Sequence, residues 1–229
     1  MYNQTHMIKA IAFDLDGTLV DSLPGLHSAL NSALQDLNLH QVTALDVKGW
    51  IGNGIDVLLS RAIHSILPND TLTSEEIKSL RSSFDLHYET TMISGTHLFD
   101  GVIKTLNELK KSQIKLAIVT NKPSQFLPGI LNDLGLSNFF SIVLGADDVT
   151  VKKPHPAPLY SVLSQFGFYA QELLFVGDSK NDIQCAKSAG CLSAGLTYGY
   201  NYHEPIEASN PDFLLNDFPA LLNIDKLMK

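Results

Sequence analysis

The chain has 229 residues, of which 45% are hydrophobic and 17% charged, and a formal net charge of −8. Length and balance describe a folded chain of one or two domains with a sizeable core and exclude a disordered or fibrous one. The negative charge and the absence of any Lys/Arg run argue against nucleic acid, which clustered cations would have to hold; an anionic ligand must be met by a few local positive groups or a metal ion.

The segment Met1–Lys9 is polar and leads into a short apolar run beginning at Ile8, without the long apolar stretch of a secretion signal or membrane span. The expectation is a cytoplasmic protein with no membrane partner. The run Ile8–Phe13 is the first of five; the others are Ile114–Thr120, Phe140–Leu144, Leu173–Val176 and Leu192–Leu196. Most are continuously apolar, which predicts parallel strands buried on both faces.

Directly after the first run comes Phe13-Asp14-Leu15-Asp16-Gly17-Thr18-Leu19. Two carboxylates at i and i+2 beside a strand end repel each other and raise each other's pKa. Gly17 lets the chain turn where a Cβ would clash. A divalent cation relieves the repulsion, and hard Mg²⁺ prefers oxygen ligands; an ordinary turn with a solvated Asp pair is the plainer alternative.

From about Ser22 to Ile93 the periodicity is helical and no strand stands out. Thr43-Ala44-Leu45-Asp46 and Thr73-Ser74-Glu75-Glu76 read as helix starts of the capping-box type, the second opening a helix to about Thr91. Between them, Trp50-Ile51-Gly52-Asn53-Gly54 precedes a helical pattern from near Ile55 to about Leu67. Free amides at that helix start suit a substrate anion, although a loop with an N-cap would look the same. Arg61 and Arg81 are other possible anion contacts, although arginines at helix positions are mostly solvated, and Trp50 reads as a packing anchor.

Helical stretches Val102–Lys111, Pro123–Leu134, Pro156–Phe166 and Asp182–Ala189 then alternate with the remaining strands. Strand then helix, repeated, predicts an α/β fold: a doubly wound, mainly parallel, Rossmann-like sheet. The expected organisation is a core of residues 1–21 and 94–229 with an inserted all-helical cap, 22–93.

The second strand ends in Val119-Thr120-Asn121-Lys122, the fourth in Gly177-Asp178-Ser179-Lys180-Asn181-Asp182. Ligands of such folds bind outside the carboxyl ends of the strands. Three strands therefore bring Asp14 and Asp16, Thr120, and Asp178 to one rim, although Asp178 or Asp182 could instead cap the next helix. Lys152-Lys153-Pro154-His155-Pro156-Ala157-Pro158 offers a lysine held by rigid backbone, a point charge suited to a phosphoryl group. Cys185 and Cys191 are too few for a disulfide framework and read as small buried residues, and the eight histidines lack zinc-ligand spacing.

These stretches resemble the haloacid dehalogenase-like hydrolase superfamily, through Asp14-Leu15-Asp16-Gly17-Thr18, Thr120, Lys153, and Gly177-Asp178 with Asp182. Within it the chain is similar to the phosphoglycolate phosphatases, through Trp50–Gly54, Val119–Pro123, Gly177–Gln184 and Gly195–Tyr202. The resemblance implies a phosphatase acting on 2-phosphoglycolate, a small phosphorylated acid, as a monomer or weak homodimer. It implies Asp14 as nucleophile forming an aspartyl-phosphate, Asp16 as acid and base, and Thr120 and Lys153 on the phosphoryl oxygens. Mg²⁺ would be held by Asp14, the main-chain carbonyl of Asp16, and Asp178, with Asp182 orienting Lys153 or a metal-bound water. Substrate contacts would come from Thr120, Asn121, Lys153, Gly52, Asn53 and Gly54. Dehalogenases of the superfamily lack the second aspartate and ion-pumping ATPases carry threonine there, so Asp16 favours phosphoester hydrolysis. A sugar-phosphate phosphatase, a phosphomutase, or a non-catalytic phospho-ligand binding module remain open alternatives.

Overall fold

The computed structural model describes residues 7–69 and 71–227. The first six and last two residues, which the expected core boundaries include, lie outside the described residues.

The five apolar runs form β1 (Ala10–Phe13), β4 (Lys115–Val119), β5 (Ile142–Leu144), β6 (Leu173–Gly177) and β7 (Leu192–Leu196), joined by a short edge strand, β8 (Phe213–Leu215). Their order is β5-β4-β1-β6-β7-β8 and every pairing is parallel. The sheet is buried on both faces because alternate side chains go to opposite layers. Ile11, Phe13, Leu116, Ile118, Leu174 and Val176 pack in one core with α5 (Val102–Lys111) and the C-terminal residues Phe218, Leu221 and Ile224. Ala10, Ala12, Ala117, Val119, Leu173 and Phe175 face the other core, with α7 (Ala157–Phe166) and α8 (Lys180–Ala189). Cys185 and Cys191 sit unpaired and buried in that second core.

Residues 22–96 leave and rejoin the sheet through a two-stranded antiparallel ribbon, β2 (Val20–Asp21) with β3 (His97–Leu98). Between them lie α1 (Leu23–Asp36), α2 (Ala44–Lys48), α3 (Ile55–Ile66) and α4 (Ser74–Thr91). Thr43 and Thr73 cap α2 and α4 in reciprocal boxes with Asp46 and Glu76. These helices bury their own cluster, including Leu30, Leu34, Leu58, Leu59, Phe84 and Tyr88. It touches the sheet layer through Phe126 and Ile130, the second of them in α6 (Leu127–Asp133), and through Tyr200. Among the described residues, no helix is long and apolar enough to cross a membrane.

Candidate active site

Strand β1 lies between β4 and β6, with Phe13 in register with Ile118 on one side and Val176 on the other. The residue after Phe13 therefore emerges beside the ends of both neighbours, and the Asp14 N–H donates to Val176 O at 2.9 Å. Thr120 follows β4 and Asp178 follows β6, so all three polar groups meet at the carboxyl edge of the sheet, and all three are buried.

Lys153 reaches this edge from the segment ahead of α7 and is nearly inaccessible. Its Nζ lies 2.7 Å from Asp14 Oδ1 and 2.7 Å from Asp182 Oδ1. Asn121 fixes its backbone, accepting from the Lys153 N–H and donating to the Lys153 carbonyl, both at 3.0 Å. The other Asp182 oxygen accepts from the Ser179 N–H at 3.0 Å and its hydroxyl at 2.8 Å. Ser179, not Asp182, is therefore the N-cap of α8; Asp182 is the N3 partner in its capping box and holds Lys153 with its other oxygen. Asp178 accepts from Thr18 Oγ1 at 2.8 Å and from the Tyr200 N–H at 2.7 Å.

One oxygen from each of Asp14, Asp178 and Asp182 lies within 4.8 Å of the others. Burial, with Asp182 and Asp16 nearby, pushes the Asp14 carboxyl up to about 6 despite the opposing pull of Lys153. Burial likewise holds Asp178 well above the usual carboxylate range, with Asp182 and Asp14 adding to the effect. Burial works against the Lys153 charge, but Asp14 and Asp182 outweigh it and keep the ammonium protonated. Three buried carboxylates with one ammonium among them leave excess negative charge, and an all-oxygen donor set of this kind fits a hard divalent cation such as Mg²⁺. Glycine is required beside it: a Cβ on Gly17, at φ +88°, would stand 2.3 Å from Asp178 Oδ2.

The Asp16 carboxylate takes no part in that cluster. It is forked onto Lys122, whose Nζ donates to its two oxygens at 2.9 and 3.0 Å. Lys122 is buried, with its ammonium 4.8 Å from the centroid of the Tyr88 ring in α4. Its position in Val119-Thr120-Asn121-Lys122 was visible in the sequence; its pairing was not.

Above this edge is a cavity of about 400 Å³, open mouth included. Asp14, Asp16, Thr120, Asn121 and Lys122 line its floor, and Leu26, Ile51, Gly52, Gly54, Ile55 and Leu58 its roof. The Gly52 carbonyl is tied to the floor, accepting from Asn121 Nδ2 at 3.0 Å and Asn181 Nδ2 at 3.3 Å. Gly54 caps α3 at φ +89°. Asn53 turns elsewhere: its Oδ1 accepts from Arg61 at 2.9 Å, while Arg61 also donates to Trp50 O at 2.8 Å. Arg61 therefore braces the loop, and Arg81 pairs with Asp85 and Asp56; neither lines the cavity.

Comparison with known proteins gives the arrangement a lineage. The family model described as haloacid dehalogenase-like hydrolase matches residues 11–196. A protein of Photorhabdus laumondii named phosphoglycolate phosphatase is 50% identical over 216 residues, covering 94% of this chain and 92% of that protein. One of the same name from Pectobacterium atrosepticum is 48% identical over 217 residues, covering 94% and 91%. The crystal structure of a predicted phosphoglycolate phosphatase of Haemophilus somnus superposes with a TM-score of 0.92 at 46% identity, covering 95% of this chain and 97% of that one.

Proposed function

This chain belongs to the haloacid dehalogenase-like hydrolases and is a phosphoric monoester hydrolase, and from that premise we propose that its substrate is 2-phosphoglycolate, cleaved to glycolate and phosphate. The observation that carries the reading is the Lys153 ammonium, at 2.7 Å from Asp14 and from Asp182. It stands where a phosphoryl oxygen would shift charge if Asp14 were the nucleophile.

In this mechanism an Asp14 carboxylate oxygen attacks phosphorus as the bond to the ester oxygen breaks, leaving an aspartyl-phosphate. Asp16 gives its proton to the departing glycolate oxygen. It then takes a proton from the water that attacks the aspartyl-phosphate, so that phosphate leaves and Asp14 is restored. Thr120 and Lys153 hold the phosphoryl oxygens, and Asp182 keeps Lys153 aimed. Mg²⁺, held by Asp14, the main-chain carbonyl of Asp16, and Asp178, would neutralise the repulsion between the Asp14 carboxylate and the phosphate. Residues 22–93 act as a cap that excludes water, and the main-chain N–H groups of Gly52, Asn53 and Gly54 face the substrate carboxylate.

The test is phosphate release from a panel of small phosphate monoesters at neutral pH with Mg²⁺. 2-Phosphoglycolate is expected to give the highest kcat/KM. A sugar phosphate with a higher value, or conversion of one to its isomer without free phosphate, rejects the assignment.

A further inference from the structure

We propose that Lys122 is the residue that selects an acidic leaving group, by pairing with the substrate carboxylate. The inference rests on the phosphoglycolate reading above and adds to it the side chain that discriminates.

The cavity's wall chemistry is lopsided. The residues of its roof are apolar side chains or glycine, and Lys122 is the one cationic side chain among its lining residues. It stands on the leaving-group side: its ammonium is bound to the Asp16 carboxylate through two hydrogen bonds of 2.9 and 3.0 Å. In 2-phosphoglycolate the carboxylate is separated from the ester oxygen by a single methylene. When that oxygen meets Asp16, the carboxylate falls within reach of whatever sits next to Asp16, and that group is Lys122.

The energetics favour the same assignment. The Lys122 side chain is 2% exposed, so its charge has little water to fall back on. To hydrogen-bond the ester oxygen, Asp16 must turn an oxygen away and give up part of its fork on Lys122. A substrate carboxylate replaces the lost partner, whereas a neutral leaving group leaves a buried ammonium short of one. Sites built around such a pairing reject the analogue that lacks it far more strongly than they reject a change of shape. The Tyr88 ring, on α4, packs against the same ammonium and limits where a new partner can approach.

The experiment compares kcat/KM for 2-phosphoglycolate and its neutral isostere, the phosphate ester of glycolamide, in wild type, Lys122→Met, Lys122→Arg and Lys152→Met. Lys152 is the control because its Nζ also comes near the roof, 3.2 Å from where a Cβ on Gly54 would stand. The preference for the acid is expected to fall by roughly 10²-fold or more in Lys122→Met. It should largely survive in Lys122→Arg and Lys152→Met. Turnover of the neutral ester by Lys122→Met reports that the variant is folded. If both substrates lose the same factor, Lys122 merely positions Asp16 and the inference is overturned; loss of preference in Lys152→Met alone overturns it as well. A wild-type enzyme without preference for the acid overturns the substrate reading itself, whatever the variants do.

Discussion

Tyr200 joins Asp178 to the start of the helical segment. Its N–H donates to Asp178 Oδ2 at 2.7 Å, while its hydroxyl accepts from the Ser22 N–H at 3.1 Å and donates to Asp21 Oδ1. One residue thus orients a carboxylate of the acidic cluster and fixes the point where the chain enters α1. Tyr200→Phe is expected to lower stability by about 1–3 kcal/mol, because the buried Ser22 N–H loses its partner. If the coupling is real, the Mg²⁺ concentration for half-maximal activity also rises several-fold. Thermal melts and Mg²⁺ titrations separate the two effects: a lower melting temperature with an unmoved Mg²⁺ midpoint assigns Tyr200 to the entry of α1 alone.

Asp14→Asn should leave a folded protein without turnover, since an amide is a poor nucleophile and a weaker metal ligand. A phosphoryl adduct trapped on any other residue rejects the mechanism. Asp16→Asn should lose roughly 10²–10⁴-fold in kcat, the range of acid–base assistance. Near-normal kcat in that variant removes Asp16 from the reaction.

The α/β alternation was legible because its strands are short, continuously apolar runs ending in polar residues. Two features escaped. β8 spans three residues, Phe213–Leu215, and owes its place to register with β7 and to Asp212, which accepts from the Ser193 N–H at 2.8 Å and its hydroxyl at 2.7 Å. That support is tertiary, so no local pattern announces it. The burial of Phe218, Leu221 and Ile224 beneath the sheet is hidden for the same reason, in a stretch without strong periodicity. At the site, the acidic residues carry their chemistry in the sequence, whereas Lys122 looks like any lysine. Its partner Asp16 lies 106 positions away, and only the β1–β4 pairing brings them together.

Thorough chelation with EDTA should abolish phosphate release and Mg²⁺ restore it. Ca²⁺ should fail or inhibit, because it takes more ligands at longer distances and can draw both Asp14 oxygens to itself. Undiminished turnover after chelation rules out a metal at the acidic cluster.

The metal-free protein should grow less stable as pH rises from about 4 to about 6. Asp14 has its pKa pushed to about 6 when folded, against about 3.9 when unfolded. Between those values the folded state holds the proton that the unfolded state has released, so stability falls through the window, and the Asp178 carboxyl, which burial also raises, acts in the same direction. The loss from Asp14 is at most about 3 kcal/mol. The exposed carboxylates of Asp36, Asp46 and Glu76 are held low by hydrogen bonds and act below this window. Melting temperatures at pH 5 and 7 check the slope, which Asp14→Asn should reduce. Mg²⁺ should stabilise more at pH 7 than at pH 5, and equal stabilisation at both counts against Asp14 as a ligand.

The roof loop offers the sharpest test of whether this acidic protein holds an acidic substrate. Neither Lys nor Arg occurs in Gly52-Asn53-Gly54, so its contribution would come from main-chain N–H groups at the start of α3, assisted by the helix dipole. Gly54 stands at φ +89°, and a Cβ there would approach Asn121 O to 3.1 Å and Lys152 Nζ to 3.2 Å. Gly54→Val is therefore strained in its backbone and crowded against the floor, and activity must fall for either reason. The magnitude for one substrate decides nothing; the ratio does. If these amides meet the carboxylate, hydrolysis of 2-phosphoglycolate drops far more than that of an uncharged aryl phosphate ester. If the loop only seats the roof on Asn121 and Asn181, kcat/KM for both substrates falls by the same factor. Equal losses would leave Lys122 to carry the selectivity without help from the loop.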